Sequence, residues 1–222
     1  MRKTTQRMRT IDRGLTIAYP APVTEAPVRG KHRRMCIRKL KTMDRGLTIA
    51  YVGNGKGKTT AAVGAAVRAA GYDWKVLFFQ FYKSLAWPSG ERTSLKKLGV
   101  DVMVRGEGFV KILGDKKPMT VHQRAAQKAL EEARNLLFSG RYQLVVLDEV
   151  ISCLEQKLLP ITAVTQLLDA RMKHPKARKV HLVMTGHKRF LALTKRCDLV
   201  TDMKVVKHPY YKGILAIKGI DF

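Results

Sequence analysis

The chain has 222 residues, with 43 Lys and Arg against 17 Asp and Glu, a net charge of +26 when histidine is neutral. Its 45% hydrophobic share excludes wholesale disorder, no apolar run approaches the roughly 18 residues of a membrane span, and the charged start lacks the apolar stretch of a secretory signal. Cys36, Cys153 and Cys197 are few, far apart and without a CxxC pair, which argues against a disulfide framework or zinc site and fits a reducing cytoplasm.

So large a positive charge calls for an anionic partner, and nucleic acid is the first to weigh. The charge is densest at the start, where residues 1–45 hold 13 basic and 3 acidic residues, but the body is basic too. The sequence from Thr10 to Tyr19 recurs from Thr42 to Tyr51 at an offset of 32, with nine of ten positions identical. Two copies are too few for a repeat fold, which needs about three stacked units. The first copy runs into Tyr19-Pro20-Ala21-Pro22, a linker signature; the second runs into a glycine-rich loop. We read residues 1–40 as a basic, poorly ordered extension carrying a partial duplication, and residues 41–222 as the folded domain.

Along the body, the apolar run 47–52 predicts a buried strand. After the loop Gly53-Asn54-Gly55-Lys56-Gly57-Lys58-Thr59-Thr60 comes an alanine-rich helix, small enough in section to pack closely on a sheet and capped at Gly71. Residues 75–81 predict a second strand, 82–91 a loop containing Trp87-Pro88-Ser89-Gly90, 92–98 a short helix and 100–104 a strand. A helix is expected from Thr120, where Thr120 and Gln123 have capping-box spacing, to a stop at Gly140. The strand 144–149 ends in Asp148 and Glu149. Pro160 opens a helix with Ile161, Val164, Leu167, Leu168 and Met172 on one face. Strands at 180–185, 199–206 and 214–217 and a helix over 188–195 complete the reading. Strands alternating with helices define an α/β chain with a mostly parallel, doubly wound sheet.

The loop after the first strand carries the strongest chemical signal. Glycines let successive backbone N–H groups turn inward without Cβ clashes, a lysine meets anionic oxygens, and a hydroxyl serves Mg²⁺ at the start of a helix. Gly53, Gly55, Gly57, Lys58 and Thr59 supply these parts, although the strict GxxxxGK[ST] pattern would place its first glycine at Val52. Ligands of open α/β sheets bind at the carboxyl ends of strands, where Asp148 and Glu149 fall. One acid would hold Mg²⁺ and the other orient a reactant. The loop and the acids together make a Walker-type nucleotide site.

The residues from Gly53 to Gly64, with Trp87-Pro88-Ser89-Gly90-Glu91, Gly106-Glu107-Gly108-Phe109, Leu147-Asp148-Glu149, Val206-Lys207-His208-Pro209 and the closing Lys218-Gly219-Ile220-Asp221-Phe222, resemble the ATP:corrinoid adenosyltransferase family of cobalamin synthesis and salvage. The resemblance spans residues 46–222 in order, and members commonly carry a non-glycine at the position of Val52. It implies a RecA-like phosphate-loop fold and transfer of the 5′-deoxyadenosyl group of ATP to cobalt(I) of a corrinoid, with release of tripolyphosphate. It further implies that residues 53–60 bind ATP, that Lys58 and Lys56 with Mg²⁺ take up the leaving group, and that Thr59, Asp148 and Glu149 serve the metal. Catalytic roles fall to Lys58, Asp148 and Glu149. Phe109 is the matching corrinoid-facing aromatic; Trp87 either lines the corrinoid site or anchors its own loop.

The chain departs from the family pattern at Lys111, where an aromatic often stands, at His187, where Thr-Gly-Arg becomes Thr185-Gly186-His187, and at Val150-Ile151-Ser152 after the acids. Two alternatives accompany the transferase reading: a nucleic-acid-binding phosphate-loop ATPase, and a degenerate relative that binds ATP without transfer. A cytoplasmic enzyme is expected, with a reduced corrinoid as substrate, a reductase and a second copy of the chain as partners to weigh, and no membrane association.

Overall fold

The computed structural model describes residues 43–108, 110 and 114–222. Its elements are β1 (Thr48–Val52), α1 (Lys58–Ala70), β2 (Val76–Gln80), α2 (Gly90–Lys97), β3 (Asp101–Val104), α3 (Met119–Phe138), β4 (Leu144–Asp148), α4 (Val150–Glu155), α5 (Ile161–Lys173), β5 (His181–Thr185), α6 (Leu191–Thr194) and β6 (Leu199–Asp202). All strand pairs are parallel, in the order β3-β2-β4-β5-β1-β6. This is an α/β, phosphate-loop NTPase-like fold. None of the described helices is long and apolar enough to cross a membrane.

The central strands read as unbroken apolar runs because both of their faces are covered. Leu77 and Phe79 of β2, Val145 and Leu147 of β4, and Leu182 and Met184 of β5 face one core with α3, α5 and α6. Phe78, Val146 and Val183, the alternate residues, face a second core with Ala62, Ala66 and Ala69 of α1 and Leu95 of α2. The alanine face of α1 packs on the sheet as its small side chains predict. Gly71 caps it, donating its N–H to the Val67 carbonyl at 3.0 Å.

Several expectations are corrected. The capping box does not form: α3 begins after Pro118, and Gln123 instead donates to the Lys157 carbonyl at 3.1 Å. The strand 199–206 stops at Asp202, and the helix over 188–195 shortens to four residues. Residues 214–217 form no strand; they lead into a turn that closes on Asp221. The α4 helix, unforeseen in the sequence, is buried at five of its six residues.

The apolar face expected on α5 holds at Val164, Leu167 and Leu168, which are buried, and at Ile161, which packs against the core, but not at its last member. Met172 is half-exposed, and beside it Arg171 is fully buried. Its guanidinium donates to Thr48 Oγ1 and the Gly46 carbonyl, both at 2.9 Å, and to the Val180 carbonyl. Periodicity misses it because a charged residue reads as solvent-facing, whereas here the fork joins the entrance of β1 to that of β5. Burial draws its pKa down to about 10, still charged at neutral pH. Arg171→Ala strips donors from buried carbonyls and should cost about 3 kcal/mol or more in urea unfolding; a cost under about 1 kcal/mol would contradict this role.

Candidate active site

Parallel strands direct their carboxyl ends to one edge of the sheet, and the loops after β1, β2, β4 and β5 meet there. The loop after β1 is tightly held. Gly53 has φ +107°, and a Cβ there would lie 2.3 Å from the Met203 carbonyl oxygen, so only glycine fits. Its N–H donates to the His187 carbonyl at 2.7 Å, and Gly55 N–H donates to the Met203 carbonyl at 2.7 Å. Segments after β5 and β6 therefore brace the loop from outside. The first turn of α1 leaves its N–H groups without intrahelical acceptors, which makes this helix end a ready anion site.

Lys58 is buried in the loop, its Nζ donating to the Gly55 carbonyl at 2.7 Å. Burial lowers its pKa from the usual lysine value, opposed by the charges of Glu149 and Asp148. Asn54, Lys56 and Thr60 are exposed around it. Lys56 forms an ion pair with Asp221.

Asp148 ends β4 with no exposed surface. Its Oδ1 accepts from Thr59 at 3.0 Å and from Thr185 at 2.8 Å, and its Oδ2 accepts from Gln80 Nε2 at 3.1 Å. Burial and then the neighbouring charge of Glu149 push its pKa above the usual aspartate value; Lys83 and the bonds from Thr185 and Gln80 pull the other way. The net effect of burial and Glu149 is to disfavour the charged form, which Lys83, Thr185 and Gln80 offset in part.

Glu149 occupies the left-handed region at φ +64°, unusual for a non-glycine residue and a conformation that clusters at functional sites. Two contacts hold it there: its N–H donates to Thr185 Oγ1 at 2.8 Å, and its carboxylate accepts from the Ser152 hydroxyl. Ser152 Oγ also lies 3.3 Å from His187 Nδ1. The altered segment Val150-Ile151-Ser152 and the altered His187 therefore meet at one place, around Glu149.

On the other side of Asp148, Arg92 Nε donates to Gln80 Oε1 at 2.7 Å, which fixes the amide so that its nitrogen faces the carboxylate. The same guanidinium donates to the carbonyls of Ser84 at 3.0 Å and Trp87 at 3.1 Å. Lys83 pairs with Glu91 at 3.0 Å. The Trp87 loop is thereby tied to the end of β2, with Trp87 near Phe222 at 6.3 Å between ring centroids. Phe109 and Lys111 lie outside the described residues.

The structure thus brings Lys58, Thr59, Asp148 and Glu149 together and sets Trp87 on a neighbouring loop. Sequence reading missed Gln80, Thr185, Arg92 and Ser152. Gln80 and Thr185 were findable, as polar residues closing apolar strands at the ligand-binding edge. The signal for Arg92 and Ser152 is long-range and local sequence does not carry it.

Fold and loop define a phosphate-loop nucleotide-binding protein with a Walker-type acid on a strand separated from β1 by β5. Within that class, the family model for ATP:corrinoid adenosyltransferase BtuR/CobO/CobP matches residues 44–222. The chain is 35% identical over 170 residues to the corrinoid adenosyltransferase of Escherichia coli strain K12, covering 77% of this chain and 82% of that protein. It is 34% identical over 170 residues to corrinoid adenosyltransferase CobA of Salmonella typhimurium, with the same coverage. It is 35% identical over 172 residues to the corrinoid adenosyltransferase of Pseudomonas aeruginosa, covering 77% of this chain and 80% of that protein. The chain belongs to the ATP:corrinoid adenosyltransferase family.

Thr185 offers a test of the network. Thr185→Val removes a bond that lowers the Asp148 pKa, so that pKa rises further. ATP binding that needs the charged carboxylate is then lost at a higher pH as the solution is acidified. Unfolding stability should fall by about 1–3 kcal/mol. Titrating ATP affinity against pH checks the direction, with Thr185→Ser keeping the parent's acid limb; an unmoved limb in the valine variant would contradict the network.

Proposed function

We propose that residues 41–222 transfer the 5′-deoxyadenosyl group of ATP to cobalt(I) of a reduced corrinoid through the Lys58, Thr59, Asp148 and Glu149 cluster. The observation that carries this reading is the Thr59–Asp148 hydrogen bond, which joins the phosphate loop to the acid of β4. Cobalt(I) is itself the nucleophile: its electron pair forms the Co–C5′ bond while the C5′–O bond breaks and its pair leaves on tripolyphosphate. The protein needs no Ser/His or Cys/His device for this, only in-line placement, exclusion of water and stabilisation of the leaving charge.

Loop N–H groups of residues 53–60 and the Lys58 ammonium take up the triphosphate. Because desolvation weakens the lysine's hold on its proton, an arriving polyanion restores it and gains a strong charge-assisted contact. The Thr59 hydroxyl and the carboxylates of Asp148 and Glu149 are hard oxygen donors of the kind Mg²⁺ takes alongside substrate phosphates, so they would hold that ion. Bound there, Mg²⁺ would supply further charge neutralisation on the departing tripolyphosphate.

Trp87, held half-buried on the rim by Arg92, and Phe109 are assigned to the corrinoid side. Cobalt(I) must be produced by reduction, which makes a reductase a partner; a homodimer belongs to the same reading. Free Cys153 and Cys197 support a cytoplasmic setting. Residues 1–40 are an appendage to this chemistry.

Lys58→Ala should lower kcat/KM for adenosylation of cob(I)alamin by roughly two orders of magnitude, the scale of losing a charge-assisted contact of about 3 kcal/mol. Spectrophotometric rates under strong reductant measure it, and turnover near the parent value would remove the lysine from the mechanism. Deleting residues 1–40 should leave ATP affinity unchanged by equilibrium dialysis; a large loss would make the extension part of the site.

A further inference from the structure

The last six residues are folded against the site. Within this turn, Asp221 N–H donates to the Ile217 carbonyl at 2.8 Å and Gly219 N–H to the Phe222 carbonyl at 2.8 Å. Ile217 N–H in turn donates to Asp221 Oδ2 at 2.7 Å. The turn thus fixes its own carboxylate, leaving 13% of the Asp221 side chain exposed, and presents the other oxygen to Lys56. One residue further on, Phe222 sits beside Trp87, and its backbone lies 3.9 Å from a Cβ built on Gly90.

Two rims of the site are therefore bridged. Lys56 belongs to the loop after β1, and Trp87 to the loop after β2. In the sheet order these strands are separated by β4 and β5, whose carboxyl ends carry Asp148 and Thr185. The C-terminal turn contacts both rims.

Lys56 stands in a loop built to bind a polyanion, yet its anion here is a carboxylate of the same chain. A triphosphate brings a higher charge density to the loop than a single carboxylate, and the Lys56–Asp221 pair is half-exposed on the lysine side, so its own worth is small. The two anions compete for one ammonium.

We propose that residues 217–222 form a counter-ion latch, in which Asp221 holds Lys56 until the triphosphate takes it and the exchange frees Phe222 from the Trp87 loop. Resting on the ATP-binding role of residues 53–60, it makes Asp221 and Phe222 positioning residues. They act through Lys56 and Trp87, and they couple nucleotide occupancy to the loop assigned to the corrinoid. In the reverse direction Asp221 assists departure of tripolyphosphate by reclaiming Lys56.

The test uses the full chain with Trp74→Phe, which leaves Trp87 as the only tryptophan, and inorganic tripolyphosphate with Mg²⁺ as a probe that has no base to stack. In the parent, the probe should shift Trp87 emission. Asp221→Asn, which keeps an oxygen for Ile217, should show much of that shift without probe and bind tripolyphosphate and ATP roughly two- to fivefold more tightly. Phe222→Ala should show the shifted emission with little change in probe affinity. In a Lys56→Gln background the effect of Asp221→Asn on affinity should vanish, the signature of a shared partner.

Weaker or unchanged binding in Asp221→Asn, emission that ignores the probe, or an Asp221→Asn effect that persists without Lys56 would each overturn the latch. Those failures leave the adenosyltransferase reading standing. Failure of the parent to bind either tripolyphosphate or ATP would instead bring down the loop reading, and the latch with it.

Discussion

Asp148 has no exposed surface, and keeping a carboxylate charged in such a place requires that its hydration be replaced. Three neighbours replace it. Thr59 comes from the phosphate loop, Gln80 from the end of β2 and Thr185 from the end of β5, so one side chain collects the edges of three structural units. Two of these neighbours also hold something else. Thr185 also receives the Glu149 N–H and so sets the left-handed turn; Gln80 also receives Arg92 and so fixes the Trp87 loop. Disturbing the carboxylate would disturb the loop that binds phosphate, the turn that aims the second acid and the rim that carries Trp87.

That arrangement explains why the chemistry sits where it does. A parallel sheet flanked on both faces by helices has little freedom at its centre, and its functional groups emerge where strands give way to loops. Lys58 and Asp148 are both buried, and the neighbouring acids Glu149 and Asp148 favour the charged form of Lys58 against its desolvation. The site is consequently assembled and polarised before any substrate arrives, the condition under which fixed dipoles stabilise a leaving group most effectively. The departures at Val150-Ile151-Ser152 and His187 converge on Glu149, and the His187 backbone carbonyl also braces Gly53 of the phosphate loop.

The architecture was legible in the sequence wherever an element is decided by its own residues. Apolar runs gave the central strands, and the glycines with Lys58 and Thr59 gave the phosphate loop, because backbone requirements leave few other residues for those positions. Legibility ended where distant partners decide. Arg171 reads as a surface residue until Thr48, Gly46 and Val180 surround it. Gln123 has the spacing of a cap, but Lys157 from another element supplies a competing acceptor. Residues 214–217 have strand-like composition, yet the turn that ends at Asp221 claims their continuation. In the site, the acids and the polar strand ends Gln80 and Thr185 carry a local signal. Arg92, which reaches Gln80 from another element, and Ser152, which reaches Glu149 and His187, do not.

Part of the positive charge also finds a place in the structure. Arg45 pairs with Asp198, Arg105 with Glu132, Arg196 with Asp169 and Lys56 with Asp221, while Lys58 is reserved within the loop. An anionic partner is still required, and the phosphate loop with its buried Lys58 points to a triphosphate rather than a nucleic acid. Identification of the phosphate product decides between them most directly. Phosphorus NMR of the chain with ATP and Mg²⁺ should show tripolyphosphate only when cob(I)alamin is present, with one equivalent for each light-sensitive Co–C bond. Orthophosphate and ADP released in response to RNA or DNA, with no Co–C bond formed, would contradict the account.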